Sequence, residues 1–329
     1  MSTPRRAVLA LGLAAPSLAL AQGGGVGQWQ PDRPIRVIVP FPAGGATDVW
    51  ARLLAEPLAE LLRVPVVVEN RSGAAGMIGA DAVAKSAPDG HTLLFTITPL
   101  VQSPIVLGNS PCDPIRDFTP IGQMGNTTLI FCVRGDHPPR TLGDFIAFAR
   151  ARRAAGQALM LGSWAAGSTA HVYALAMNNQ LDLGMTHVAY RGEAPMVTAY
   201  LAREVDCGIN SLTSVREHMA TGKLRGLAAL GDARHPNMRD IPTFFEQGVD
   251  VGRGWSGFIG LLGPARLPPA VLARHAEAFR QVMARDAIRR RLLEMDTDPD
   301  WLGPEDFART IARVQAKWIE ITRGMDLQL

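Results

Sequence analysis

From residue 34 onward the hydrophobic positions switch between two periods. Short β-branched runs at 35–39, 64–69 and 93–96 read as strands, and apolar residues at helical spacing fill 48–62 and 78–86 between them. Strand and helix in alternation predict a parallel sheet covered by helices, so one Rossmann-like lobe is laid out by about residue 100. Pro88-Asp89-Gly90 turns the chain into the third strand, and Pro99 ends it. A loop rich in Pro, Asp and Asn follows at 104–120, after which 129–134 reads as a strand leading into a second lobe. There, helices at 142–155, 168–180, 194–202 and 214–221 alternate with strands at 158–162, 187–190, 205–209 and 224–230. A strand at 258–262 and amphipathic helices at 269–283, continuing to 295, and at 304–323 return to the first lobe. The expected fold is therefore α/β with two lobes: 34–125, then 126–231, with 232–329 forming the hinge return and the rest of the first lobe.

Two helices carry local signals. Pro304, Glu305 and Asp306 place a proline and two acids in a first turn, which suits the positive end of the helix dipole. Pro57 falls inside the helix at 48–62, where an interior proline costs about 3 kcal/mol, so a kink or break near Glu56 is expected.

The first 21 residues have a different character. Arg5 and Arg6 precede an apolar run of about 14 residues that is too short to span a bilayer. Ala19-Leu20-Ala21 fits a small-x-small cleavage site. This predicts a signal peptide cleaved after Ala21, a linker at 22–33 and a periplasmic mature protein. Cleavage leaves roughly 300 residues, enough for two lobes, and brings the net charge of +3 down to about +1. Acids and bases are interspersed and no basic block with interleaved aromatics occurs, which argues against nucleic acid as a partner. Cys112, Cys132 and Cys207 are too far apart for a metal motif. They read as small buried hydrophobes, with one disulfide plus a free thiol as the alternative. His187, His218, His235 and His275 lack metal-ligand spacing, and nothing in the sequence calls for a metal or a cofactor.

The candidate chemistry lies in the turns at the carboxyl ends of the predicted strands. Val39 to Asp48 leaves a strand through Phe41-Pro42-Ala43-Gly44-Gly45 and opens a helix, exposing first-turn amides and the positive dipole end to an anion. Thr47 or Asp48 can cap that helix. The turn lacks the Lys-Ser/Thr of a nucleotide P-loop and the GxGxxG spacing, so it reads either as a carboxylate site or as a plain capped turn. Further Gly/Ser turns follow at 70–76, 96–98, 162–169, 190–192 and 210–211. Ligands of open α/β sheets bind at such ends, so their convergence points to a cleft.

Two long segments and a turn make a resemblance specific: PIRVIVPFPAGGATD at 34–48, VVVENRSGAAGMIG at 66–79 and APDG at 87–90. Shorter ones agree, among them DFTPI at 117–121, GSTAH at 167–171 and VAYRG at 188–192. Together they resemble the Bug family, the solute-binding components of tripartite tricarboxylate transporters. The resemblance implies a periplasmic-binding-protein fold of the second type, with two lobes joined by crossing hinge strands and closing over a small carboxylated solute. It also implies a monomer that meets membrane transporter subunits transiently. On the family pattern Phe41, Ala43, Gly44, Gly45 and Asp48 form the first-lobe wall, with Thr96 and Thr98 beside it. Ser163, Ser168, Thr169, His171, Tyr190, Gly192, Asn210 and Ser211 line the second lobe.

Three positions depart from the family pattern: Trp164 where a small residue is usual, His91 for Tyr after Pro-Asp-Gly, and Asn210 at an often acidic place. Trp164 either stacks on or crowds the ligand, or packs in the rim. His171 either donates to a ligand or is an ordinary helix histidine, and Arg191 either meets a second carboxylate or lies on the surface. Two other functions use a similar fold: a periplasmic sensor for a signalling partner, and a secreted hydrolase. Against the hydrolase, Gly254-Trp255-Ser256-Gly257 is out of register with GxSxG.

Overall fold

The computed structural model describes residues 29–108, 110–252 and 257–323. The signal segment 1–21, most of the 22–33 linker and Trp255-Ser256 fall outside them. Two sheets organise the chain. The first contains β1 (Ile35–Val39), β2 (Val66–Asn70), β3 (Thr92–Ile97), β4 (Phe118–Thr127), β10 (Ile259–Pro264) and β11 (Thr297–Leu302), in the order β11-β4-β10-β3-β1-β2. The second contains β5 (Leu129–Arg134), β6 (Met160–Ser163), β7 (Thr186–Ala189), β8 (Cys207–Ser211) and β9 (Leu224–Ala229), in the order β7-β6-β8-β5-β9. Strands β1, β2 and β3 run parallel, whereas β10 and β11 pair antiparallel with β4.

Three helices connect the early strands: α1 (Ala46–Leu62), α2 (Met77–Ala84) and α3 (Pro99–Leu107). The second sheet is covered by α4 (Leu142–Ala154), α5 (Thr169–Gln180), α6 (Glu193–Leu201) and α7 (Leu212–Ala220). The C-terminal helices are α8 (Pro269–Met283), α9 (Asp286–Glu294) and α10 (Pro304–Thr322). Helix α8 packs on α1, and α10 on α3 and β4, so both serve the first sheet.

The chain passes between the sheets twice. A single residue, Thr128, separates β4 from β5, and the return runs from β9 to β10. Because β10 pairs with β4 and β9 with β5, the two crossings lie side by side. One face of the first sheet buries Val37 and Val39 against Trp50, Leu54 and Phe279. The other face, with Ile38 and Leu94, shares an apolar core with the second lobe, where Tyr173 of α5 meets Trp318 of α10 edge to face at 5.4 Å.

Several expectations need correction. Helix α1 runs unbroken through Pro57, a buried position, where a kink or break was expected. Segment 104–120 is not all loop. Pro99 occupies the first turn of α3, where its missing N–H leaves no intrahelical bond unmade, and β4 begins at Phe118. The helix expected to continue to 295 stops at Ala284, because Arg285 is extended (ψ 125) and caps a new helix. Strand β11 holds Asp298, Pro299 and Asp300, poor strand formers, yet pairs at the sheet edge across a register shift, where proline is tolerated.

All three cysteines are buried and free. Val133 lies opposite Cys207 and Gly208 opposite Cys132, so strand alternation sends the two thiols to opposite faces of the second sheet. Cys132 rests near Met219 Sδ (3.9 Å) and Cys207 near Met185 Sδ (3.5 Å). A disulfide between them is therefore excluded by geometry.

Candidate functional site

The turn after β1 is built by side chains that hold backbone. Gly44 takes φ +81, and Gly45 caps α1 without help from any side chain, neither Thr47 nor Asp48 serving as the cap. Asp48 sits in the first turn instead, where it accepts from Gly44 N (3.0 Å), Arg52 Nε (3.0 Å) and Asn70 Nδ2 (2.9 Å). Asn70 also donates to Phe41 O (3.0 Å), which straps the turn to the end of β2. Asp48 thus spends its carboxylate on the loop, and Ala43 and Gly44 are exposed outside the lined hollows.

The opposing loops are held in the same way. Ser163 Oγ donates to Ala165 O (3.0 Å) and lies 2.7 Å from His187 Nε2. His187 stacks on His171 at 3.9 Å. His171 Nδ1 accepts from Gly167 N (3.0 Å), which fixes a neutral ring with its proton on Nε2. Burial, then the neighbouring His187, push His171 down to about 4. Ser168 caps α5 by accepting from His171 N, and Thr169 Oγ1 crosses the lobes to donate to Gln102 Oε1 (2.8 Å). Asn210 Nδ2 donates to Tyr200 Oη and Gly208 O. Ser163, Ser168, Thr169, His171 and Asn210 are therefore placed around the cleft rather than in its wall.

Between the lobes lies an inner chamber of about 60 Å³, adjoining a wider trough of about 510 Å³. The two share Phe41, Pro42, Trp164 and Gly192. Of the residues predicted from sequence, Phe41, Gly45, Trp164, Gly192 and Ser211 line the chamber, and Tyr190 lines the trough. Thr96 and Thr98 do not. Ile97 lines the chamber between them, as strand alternation requires, while Thr98 Oγ1 accepts from Phe258 N (2.9 Å). A Cβ on Gly192 (φ +126) would come within 3.1 Å of Pro42 Cγ, so the lobes touch where only glycine fits.

Sequence reasoning missed Thr47, Trp50, Glu193 and Ala194 as lining residues. Trp50 stands three residues after Thr47, on the same face of α1, and that spacing was the available signal. Glu193 opens α6 and accepts from Ser211 Oγ (2.8 Å) and Ser214 Oγ (2.7 Å), and it also contacts Ser211 N closely. Burial raises its pKa against these donors. Among the described residues it is the only ionisable one in the chamber wall.

Helices α1 and α6 both open onto the chamber. The amides of Ala46, Thr47 and Ala194 lie in their first turns, where no intrahelical partner exists, and they have none elsewhere among the described residues. Amides and dipole ends from both lobes thus face one small hollow, an arrangement suited to an anion. No cluster of three potential metal ligands occurs among the described residues, and no helix among them is long and apolar enough to cross a membrane.

The pattern of the tripartite tricarboxylate transporter family receptor matches residues 50–327. The chain belongs to that family. Among relatives of this receptor family, protein BugT of Bordetella pertussis is 31% identical over 303 residues, covering 91% of each chain. The structure of the periplasmic binding protein BugD superposes with a TM-score of 0.82 at 26% identity, covering 89% of this chain and 97% of that one. MatC from Rhodopseudomonas palustris, solved with bound malate, gives 0.82 at 25% identity, covering 88% and 99%. The two-lobe α/β fold is thus that of a solute-binding receptor, and the hydrolase reading is set aside. Ser163 and His187 lie close enough for a catalytic pair, but Ser163 is fully buried and outside the chamber wall.

Proposed function

We propose that this receptor captures a small carboxylated solute in the interlobe chamber and delivers it to the membrane subunits of a tripartite tricarboxylate-type transporter. The observation that carries the reading is the pair of helix N-termini, α1 and α6, whose unpartnered amides open onto one chamber from opposite lobes. A carboxylate held there draws both lobes onto itself, which favours the closed form that a membrane partner recognises. The malate held by MatC is consistent with this chemistry. The N-terminal pattern supports export with cleavage after Ala21, and the receptor is taken to work in the periplasm as a monomer. The lobes are taken as 34–125 with 232–329, and 126–231.

Thermal shift of the mature protein against mono-, di- and tricarboxylates and their uncharged amides, with calorimetry on each hit, tests the reading. Saturable stabilisation by an acid and none by its amide is the expected result. Equal stabilisation by both would remove the anion site from the argument.

A further inference from the structure

Two indole N–H groups at the chamber lack an acceptor. Trp50, on the first-lobe helix α1, is 1% exposed, and Trp164, after β6 in the second lobe, is 8% exposed. Both rings line the chamber, and neither Nε1 has a hydrogen-bond partner. A buried donor left unmade costs about 1–3 kcal/mol, and native interiors seldom tolerate one. Among the described residues nine buried side-chain polar atoms have no hydrogen-bond partner, and the two indoles are the ones that line this chamber, one on each lobe. The missing acceptor is most simply supplied by the solute itself.

The rest of the wall states which kind of acceptor. Phe41, Ile97 and Leu129 make it apolar, and no Arg, Lys or His among the described residues belongs to it. Its one ionisable group among the described residues is the acid Glu193. A first carboxylate is met by the α1 and α6 amides. A second would enter an apolar hollow, with no cation among the described residues to offset the cost of leaving water. Arg191 lines the outer trough, not the chamber.

Resting on the carboxylate-binding reading above, we propose that Trp50 and Trp164 determine this receptor's specificity. They enclose the body of a compact monocarboxylate and donate their indole N–H groups to an uncharged acceptor on it, such as a carbonyl oxygen or a ring nitrogen. Short di- and tricarboxylates are rejected.

Calorimetry with pentanoate, 4-oxopentanoate, glutarate and citrate separates the terms, because the first three share one chain length and differ only at the far end. The oxo acid is expected to bind at least about tenfold more tightly than glutarate or citrate, since it alone combines one charge with a neutral acceptor. Trp50→Phe and Trp164→Phe keep a ring and delete the donor. Each should weaken the oxo acid by about twofold to tenfold and pentanoate by less, with the melting temperature showing that the variants fold. Tighter binding of glutarate or citrate, or unchanged oxo-acid affinity in both variants, would overturn the specificity proposal and leave the carboxylate reading standing. Failure of all four acids to bind at millimolar concentration would remove both.

Discussion

Burial acts to raise the pKa of Asp48, but the Arg52 side chain, the Gly44 amide and Asn70 together outweigh it, leaving the carboxyl below its ordinary value of 3.8. The ionised form therefore stabilises the fold, fully so above that value, and the stabilisation is lost as pH falls through the depressed one. Asp48→Asn is expected to cost about 1–3 kcal/mol at pH 7 by urea denaturation, with the gap to wild type closing below pH 3.8. A gap that stays constant in acid would show that shape rather than charge holds the turn. This residue also shows what a sequence conveys and what it withholds. Asp48, Ser163, Ser168, His171 and Asn210 were legible as polar residues at or just beyond strand ends, and they do lie there, Ser163 and Asn210 at the ends of β6 and β8, Ser168 capping α5, and Asp48 and His171 in the first turns of α1 and α5. Whether a hydroxyl or carboxylate turns to a ligand or to its own loop depends on partners distant in sequence, such as Asn70 for Asp48 and His187 for Ser163. Trp50 escaped notice for the opposite reason. On an amphipathic helix a tryptophan reads as core, and only the facing lobe turns that core position into a chamber wall.

At the scale of elements, the loop opening α5 depends on a neutral histidine stack. The unfolded chain takes up a proton near the ordinary histidine value of 6.5, while His171 refuses it until about 4. Between those values the unfolded state binds more protons, so stability falls as the solution is acidified. His275, also pushed down to about 4 by burial, adds to the same slope. His171→Asn keeps an acceptor for Gly167 N and removes the titration. Its urea midpoint should fall less between pH 6.5 and 4.5 than that of wild type, and an equal fall would place the sensitivity elsewhere. Elements with strong local pattern, β1, β5 and α10 among them, were legible within a residue or two. Strand β11 and helix α3 were not, since Asp-Pro-Asp and a proline-led run carry weak local preferences that the neighbouring strand β4 and the helices α10 and α2 override.

For the whole molecule, the Gln102–Thr169 bond at 2.8 Å and the contact of Pro42 with Gly192 hold the lobes together on the cleft side. Gln102→Ala removes the first without touching the chamber wall. Small-angle scattering of the unliganded variant should show a larger radius of gyration, and solute affinity should drop about twofold to tenfold because closure then costs more. Unchanged values would assign the bond to the permanent interlobe core with Tyr173 and Trp318. The order of strands has a consequence of a different kind, for the time course of folding. Strands β5 to β9 are contiguous in the chain, so the second sheet can assemble as soon as residue 229 is free. The first cannot, because β10 sits between β3 and β4 and pairs with β3 through Ile259 opposite Ile97, a long-range pairing that waits for most of the chain. Until Ile259–Pro264 arrives, β3 and β4 present open edges with nothing to pair. A chain emerging N-terminus first thus builds its second lobe early and completes its first lobe last, so the cleft between them is the final feature to form.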